Sequence, residues 1–164
     1  MRTAAEILRD ARTIAIVGAS PRPGRPSHGV MAYLLRAGYR CIPVRPPAAP
    51  LAVPPSGRGS SARASVGAAD PERPPRVQPD CDEVLGVPCV TSLAEIDEPI
   101  DLVDVFRRPE FCADVAREAA AVEAGALWLQ LGIVSPEARI VARESGMDYV
   151  EDICTAVVHR REVA

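Results

Sequence analysis

Segments dominated by apolar residues recur along the chain at 13–17 (TIAIV), 100–106 (IDLVDVF) and 126–131 (ALWLQL), each ending near a glycine or a proline. Continuous runs of this length, bounded by turn residues, predict strands covered on both faces, as in a parallel sheet. The segment 39–44 (YRCIPV) reads as the second strand, 88–90 as a short one, and Tyr149 with Val150 as a last short one. Between them the apolar positions change to helical spacing: Ile7, Leu8 and Ala11, then Val30, Met31, Leu34 and Leu35, then Phe111, Val115 and Val122. Start and stop signals bracket these stripes. Thr3 with Glu6 and Ser92 with Glu95 have capping-box spacing, Ser27 stands where a helix cap is expected, and Pro109 and Ser135-Pro136 suit first-turn positions. Gly38, Gly125 and Gly146 follow the helix ends. Strands alternating with helices predict an α/β fold of three layers, a doubly wound, mostly parallel, Rossmann-like sheet.

One stretch breaks the pattern. Residues 46–80 hold nine of the 17 prolines and few large aliphatic side chains. Too little apolar surface is present there to offset the entropy of ordering, so the segment is expected to be a disordered or polyproline-like insertion. The chain of 164 residues then reads as a single domain built from two blocks, 1–45 and 81–164. No apolar run approaches the ~20 residues of a membrane span, and MRTAAEILRD reads as an amphipathic helix rather than a secretion leader. A cytoplasmic protein without a membrane partner is expected. A net charge of -3 supplies no global attraction to nucleic acid.

All 19 basic residues are arginine. Without lysine there is no Schiff-base amine, no pyridoxal phosphate anchor and no Walker-loop ammonium, and those enzyme classes are excluded. The five cysteines, Cys41, Cys81, Cys89, Cys112 and Cys154, are odd in number and lack CxxC spacing, which predicts reduced thiols rather than a disulfide framework or a zinc site.

In a doubly wound sheet, ligands bind beyond the carboxyl ends of the strands, where strand order reverses. The first such loop carries Gly18, Ser20, Arg22, Gly24, Arg25 and Ser27 ahead of a helix start. Backbone amides, hydroxyls, guanidinium groups and a positive helix end together suit a phosphate or diphosphate. The alternative is a proline-stiffened connection with its arginines in solvent. The loop is not a GxGxxG fingerprint, and the second strand ends in Arg45 where a NAD site has an acid. An arginine there suits a ribose carrying its own phosphate, as in NADP or coenzyme A, or else simply opens the insertion. Phe106 and Arg107 end a later strand, placed to meet an adenine ring and a phosphate or merely to pack; Gly132 would let a ligand chain approach the backbone.

Taken together, the VGAS turn, the IPV and DVFR strand ends, the WLQ strand, Asp152-Ile153-Cys154 and His159-Arg160 resemble the CoA-binding-domain family. These are small Rossmann-like proteins similar to the N-terminal domain of the succinyl-CoA synthetase alpha subunit. The resemblance covers both blocks and implies binding of coenzyme A or an acyl-CoA. The diphosphate would lie near Gly18, Ser20, Arg22, Gly24, Arg25 and Ser27, and the adenosine end near Val44, Arg45 and Phe106, with Arg107 close by. Two positions depart from the family pattern: Arg45 replaces a usual asparagine, and Val158 replaces a glutamate that commonly precedes the histidine.

Catalytic candidates are few. His28 lacks an apparent carboxylate partner, His159 is flanked by Arg160 and Arg161, which would disfavour its protonation, and Asp101 and Asp104 should project from opposite faces of their strand. Cys154 resembles the cysteine of the family's DxC element and would lie near the ligand thiol, either as a structural group or as a partner in a mixed disulfide with CoA. Cys41 and Cys112 are expected to pack as small apolar side chains. The expectation is therefore a non-catalytic, regulatory or carrier-like module with a small-molecule ligand, no catalytic residue and no metal. The competing readings are a Rossmann-type NADP-dependent oxidoreductase and an interaction protein whose proline-rich insertion docks on a protein partner.

Overall fold

The computed structural model describes residues 1–46 and 83–164, so the expected insertion lies outside the described residues from residue 47 onward. In chain order the elements are α1 (Ala4–Asp10), β1 (Thr13–Val17), α2 (Pro26–Arg36), β2 (Arg40–Val44), β3 (Glu83–Val84), β4 (Val87–Pro88), β5 (Leu102–Val105), α3 (Pro109–Ala121), β6 (Ala126–Leu129), α4 (Pro136–Ser145), β7 (Asp148–Val150) and α5 (Thr155–Glu162). Five strands form one parallel sheet in the order β2-β1-β5-β6-β7. The chain first builds outward from β1 to β2, then returns to the other side of β1. The order therefore reverses between β1 and β5.

The sheet is covered on both faces, which is why its central strands are mostly apolar rather than alternating, with the acidic Asp104 of β5 an exception among them. Along β1, Ile14 and Ile16 face one layer with Ile7, Leu8, Met31, Leu34, Trp128 and Val158, contributed in part by α1, α2 and α5. Ala15 and Val17 face the other layer with Cys112, Val115, Ala116 and Ala142 of α3 and α4. Trp128 is fully buried and its indole N–H donates to the Ile153 carbonyl at 2.7 Å, so the largest core side chain leaves no polar atom unpaired. Pro43 is tolerated because β2 is the sheet edge.

Thr3 and Glu6 form the expected capping box: the Thr3 hydroxyl accepts from the Glu6 amide at 3.3 Å, and the Glu6 carboxylate accepts from the Thr3 amide at 2.8 Å. Ser135 caps α4 through the Ala138 amide, and Gly146 closes that helix in the left-handed conformation at φ 76°.

Several expectations need correction. Ser27 is not the cap of α2: Arg25 occupies that position, Pro26 is the first helical residue, and Ser27 is buried within the first turn. Proline's fixed φ suits the first position and starts the helix two residues earlier than a Ser27 cap would. The expected strand at 88–90 is instead the end of an antiparallel hairpin of β3 and β4, after which Val90 makes one parallel bridge to Val44. Glu95 does not complete a box with Ser92. Its carboxylate accepts from the Thr91 amide at 3.2 Å and from the Thr91 hydroxyl, and Leu93–Glu95 form a single 3-10 turn that buries Leu93. Gly125 does not terminate α3, whose reversal uses Glu123 at φ 54°. It is small because a Cβ there would lie 2.8 Å from the Asp101 carbonyl oxygen. Phe111 is half-buried rather than part of the α3 core face, which is formed by Cys112, Val115, Ala116 and Ala119.

Candidate functional site: a cleft across the strand ends

A cleft of about 830 Å³ opens at the carboxyl ends of the sheet. It is lined from every direction the topology allows: Arg45 and Pro46 after β2, Gly18 to Arg22 after β1, Arg25 to Ser27 at the start of α2, Phe106 and Arg107 after β5, Gln130, Leu131 and Ile133 after β6, and Cys154 before α5. This is the switch-point crevice expected of the fold.

The loop after β1 is held by backbone geometry. The Gly18 amide donates to the Val44 carbonyl at 2.9 Å, and Gly18 then turns at φ 87°. A Cβ on Gly18 would sit 3.0 Å from the Phe106 carbonyl oxygen and 3.2 Å from Cγ of Arg107, so the close approach of β1 to β5 also requires glycine. The Ser20 hydroxyl accepts from the Arg22 amide at 3.2 Å, and the Arg25 amide donates to the Arg22 carbonyl at 3.0 Å, folding the arginines back toward the helix start. Arg25 caps α2 with no side-chain bond, which leaves the positive end of an 11-residue helix facing the cleft between two guanidinium groups.

Arg45 reaches across the loop, its Nη1 donating to the Ala19 carbonyl at 3.0 Å. The Arg107 guanidinium lies 4.5 Å over the ring of Phe111, which explains why that aromatic is not in the core. Among the described residues the lining therefore includes four arginines and no carboxylate, in a chain whose net charge is negative.

Of the residues singled out from the sequence, Gly18, Ser20, Arg22, Arg25, Ser27, Arg45, Phe106 and Arg107 meet at the cleft. Gly24, Val44 and Gly132 do not line it. Gly24 is exposed in the loop, with open space around its Cα. Val44 is fully buried and contributes its carbonyl to Gly18. Gly132 is a glycine for its own conformation, φ 82°, and its amide donates to Asp152 at 2.7 Å instead of facing a ligand.

His28 is half-buried one residue beyond the lining. His159 is buried, with Nδ1 2.9 Å from the Tyr33 hydroxyl and its ring edge-on to Tyr33 and Tyr39. Burial holds its pKa below the ordinary value; the neighbouring arginines are not the cause, and Arg160 lies over the Tyr33 ring at 5.0 Å. Burial also pushes the Cys41 thiol up to about 12 and the Cys112 thiol up to about 11, as expected for cysteines packed as apolar groups. Asp101 stands just before β5 and Asp104 within it. Asp101 accepts from the Arg12 and Thr13 amides at 2.8 and 2.9 Å and anchors the start of β1.

Asp104 belongs to a cluster that sequence reasoning missed. It is completely buried, with Oδ1 accepting from Gln130 Nε2 at 2.7 Å and Oδ2 accepting from the Thr155 hydroxyl at 3.0 Å. Gln130 Nε2 also donates to Thr155 Oγ1 at 2.7 Å. Desolvation pushes Asp104 up to about 7 against the opposing effect of these two donors. The available signal was an aspartate inside an otherwise apolar strand, which must find partners when buried.

Among the described residues, no helix is long and apolar enough to cross a membrane. Comparison with known proteins places this geometry. The family model described as a CoA binding domain matches residues 12–76 and 75–160. The uncharacterized protein YneT of Bacillus subtilis is 37% identical over 154 residues, covering 94% of this chain and 90% of that protein. Among solved structures, a hypothetical protein from Pyrococcus horikoshii OT3 superposes with a TM-score of 0.76 at 29% identity, covering 98% of this chain and 90% of that one. Cell-free ID.343 from Thermus thermophilus gives 0.71 at 34% identity, with 98% of each chain covered. A dinucleotide forming acetyl-coenzyme A synthetase 1 of Ca. Korarchaeum cryptofilum gives 0.59 at 16% identity, over 88% of this chain and 26% of that one, and shares the fold. The chain belongs to the CoA binding domain family.

Proposed function

We propose that this protein binds coenzyme A or an acyl-CoA in the cleft across the strand ends and acts as a carrier or regulatory module rather than as a catalyst. The observation that carries the reading is the arginine lining of the cleft at the start of α2, without a carboxylate among the described lining residues. Such a surface attracts a ligand bearing several phosphates, and amides, guanidinium groups and a helix end supply charge-assisted bonds to it. Arg45, at the β2 end, would suit a ribose phosphate, and Phe106, at the β5 end on the other side of the loop after β1, adds an aromatic side chain to the same cleft. Neither His159 nor the buried Asp104 carboxylate lines the cleft, which supports a binding role. His159 is sealed between tyrosines, and Asp104 is reached only through Gln130 and Thr155.

Calorimetric titration with CoA, acetyl-CoA, dephospho-CoA, NADP and NAD tests the reading. Binding of CoA and acetyl-CoA with a clear loss for dephospho-CoA is the expected result. Uptake of NADP alone would replace this reading with a redox one, and no uptake of any CoA form would refute it.

A further inference from the structure

Gln130 is a polar side chain only 4% exposed yet part of the cleft lining. A primary amide has two N–H donors, and Gln130 commits both inward, to Asp104 Oδ1 and to Thr155 Oγ1, each at 2.7 Å. The Thr155 hydroxyl spends its own proton on Asp104 Oδ2 at 3.0 Å. Turning the amide over would set its carbonyl oxygen against a carboxylate and a hydroxyl oxygen already acting as acceptors, so Asp104 fixes which end of the amide points inward. The other end, Oε1, is left on the cleft side.

The surroundings of Gln130 differ from the arginine end of the cleft. Gln130 follows β6 and Arg45 follows β2, three strand spacings apart across the sheet order, roughly 14 Å. Its neighbours in the lining are Leu131, Ile133 and Cys154, with no cation beside it on that loop. A ligand whose phosphates lie among the arginines would therefore send an apolar chain over Leu131 and Ile133 and past one preset hydrogen-bond acceptor.

We propose that Gln130 is a specificity residue whose Oε1 accepts from an amide N–H on the arm of the bound ligand, with Asp104 and Thr155 as positioning residues that hold the amide the right way round. This rests on the CoA reading above, because it is the pantetheine arm that supplies amide N–H groups on a largely apolar chain.

The test compares CoA with adenosine 3',5'-bisphosphate, which keeps the nucleotide end and lacks the arm, by calorimetry at pH 8 on the full chain. The Gln130→Met change removes the acceptor at similar length. The Asp104→Asn change leaves Gln130 intact but adds an inward donor, which lets the Gln130 amide turn over and present N–H to the cleft. Both variants should weaken CoA about tenfold, the scale of one buried hydrogen bond with its ligand donor left unpaired, and leave the bisphosphate within about twofold of wild type. Should Gln130→Met fail to fold, the CoA-to-bisphosphate ratio of Asp104→Asn decides the matter. Wild-type affinity for CoA in a folded variant, or equal losses for the two ligands, would overturn the role of Gln130 while leaving the CoA reading standing. Wild-type protein that takes up neither ligand would overturn both.

Discussion

Replacing Gly18 by alanine joins the fold and the cleft in one perturbation. Two separate costs follow from the geometry. At φ 87° an L-residue with a Cβ is disfavoured by about 1–2 kcal/mol. The new Cβ would also meet the Phe106 carbonyl oxygen at 3.0 Å and its carbon at 3.2 Å, both backbone atoms at the end of β5, so the two strand ends must separate by a few tenths of an ångström. Overpacking of this kind costs about 1–3 kcal/mol. The sum is about 2–5 kcal/mol, or roughly 4–20 °C in melting temperature for a chain of this size. Urea denaturation followed by circular dichroism measures it, with Gly24→Ala as the control, since Gly24 sits in the same loop with nothing within 4 Å of its would-be Cβ and no positive φ. A loss below about 0.5 kcal/mol for Gly18→Ala, or a comparable loss for Gly24→Ala, would show that the strand ends yield freely and that the loop is not held by Gly18. Because Ser20, Arg22 and Arg25 depend on that turn, the same variant should bind CoA more weakly even at temperatures where it is fully folded.

Arg25→Ala should weaken CoA by about 1.5–3 kcal/mol without changing stability, because the side chain is exposed and makes no cap bond; titration alongside a melting curve separates the two. Asp104 makes stability pH-dependent in a defined direction. Its pKa rises from 3.8 to about 7 on folding, so between those values the folded state binds more protons and this group's contribution is lost as pH rises. The stability difference between wild type and Asp104→Asn, taken from urea midpoints, should therefore move against wild type by up to about 4 kcal/mol from pH 4 to pH 8, and a constant difference would refute the assignment. Iodoacetamide at pH 8 should modify Cys154 in the folded protein and do so more slowly with CoA present, whereas Cys41 and Cys112, buried and poorly ionised, should react only in urea; peptide mass mapping reads out each site.

The strands and helix starts that bring the cleft together were legible because each is specified locally. TIAIV and ALWL need only a covered sheet, and Pro109 and Pro136 fix first helical positions by their own ring geometry, as Pro26 also does although Ser27 looked like the cap. Errors arose where a neighbour remote in the chain decides. Gly125 looks like a helix stop in sequence, yet its size is dictated by the carbonyl of Asp101, the residue just before β5. Gly132 follows a strand end, as a ligand-facing glycine would, but its amide is taken by Asp152, 20 residues on. The cluster under Gln130 joins side chains 26 and 51 residues apart, a spacing no periodicity encodes. The arginines of the cleft were readable as a set because each stands at a strand end, a helix start or in the loop that joins the two, the positions the fold brings to one edge of the sheet.

The cationic lining of the cleft is guanidinium throughout, with no amine in a chain that contains no lysine. A thioester is an acylating agent as well as a ligand, and an ammonium group in equilibrium with its free base would in time be acylated by the molecule it holds. Guanidinium, delocalised and cationic, supplies the same attraction for phosphate without presenting a lone pair to the acyl carbon. If the cleft takes an acyl-CoA as proposed, such a lining would let it hold the activated acyl group and release it unspent, and the one thiol among the described lining residues, Cys154, could exchange an acyl group only in a readily reversed transfer from sulfur to sulfur.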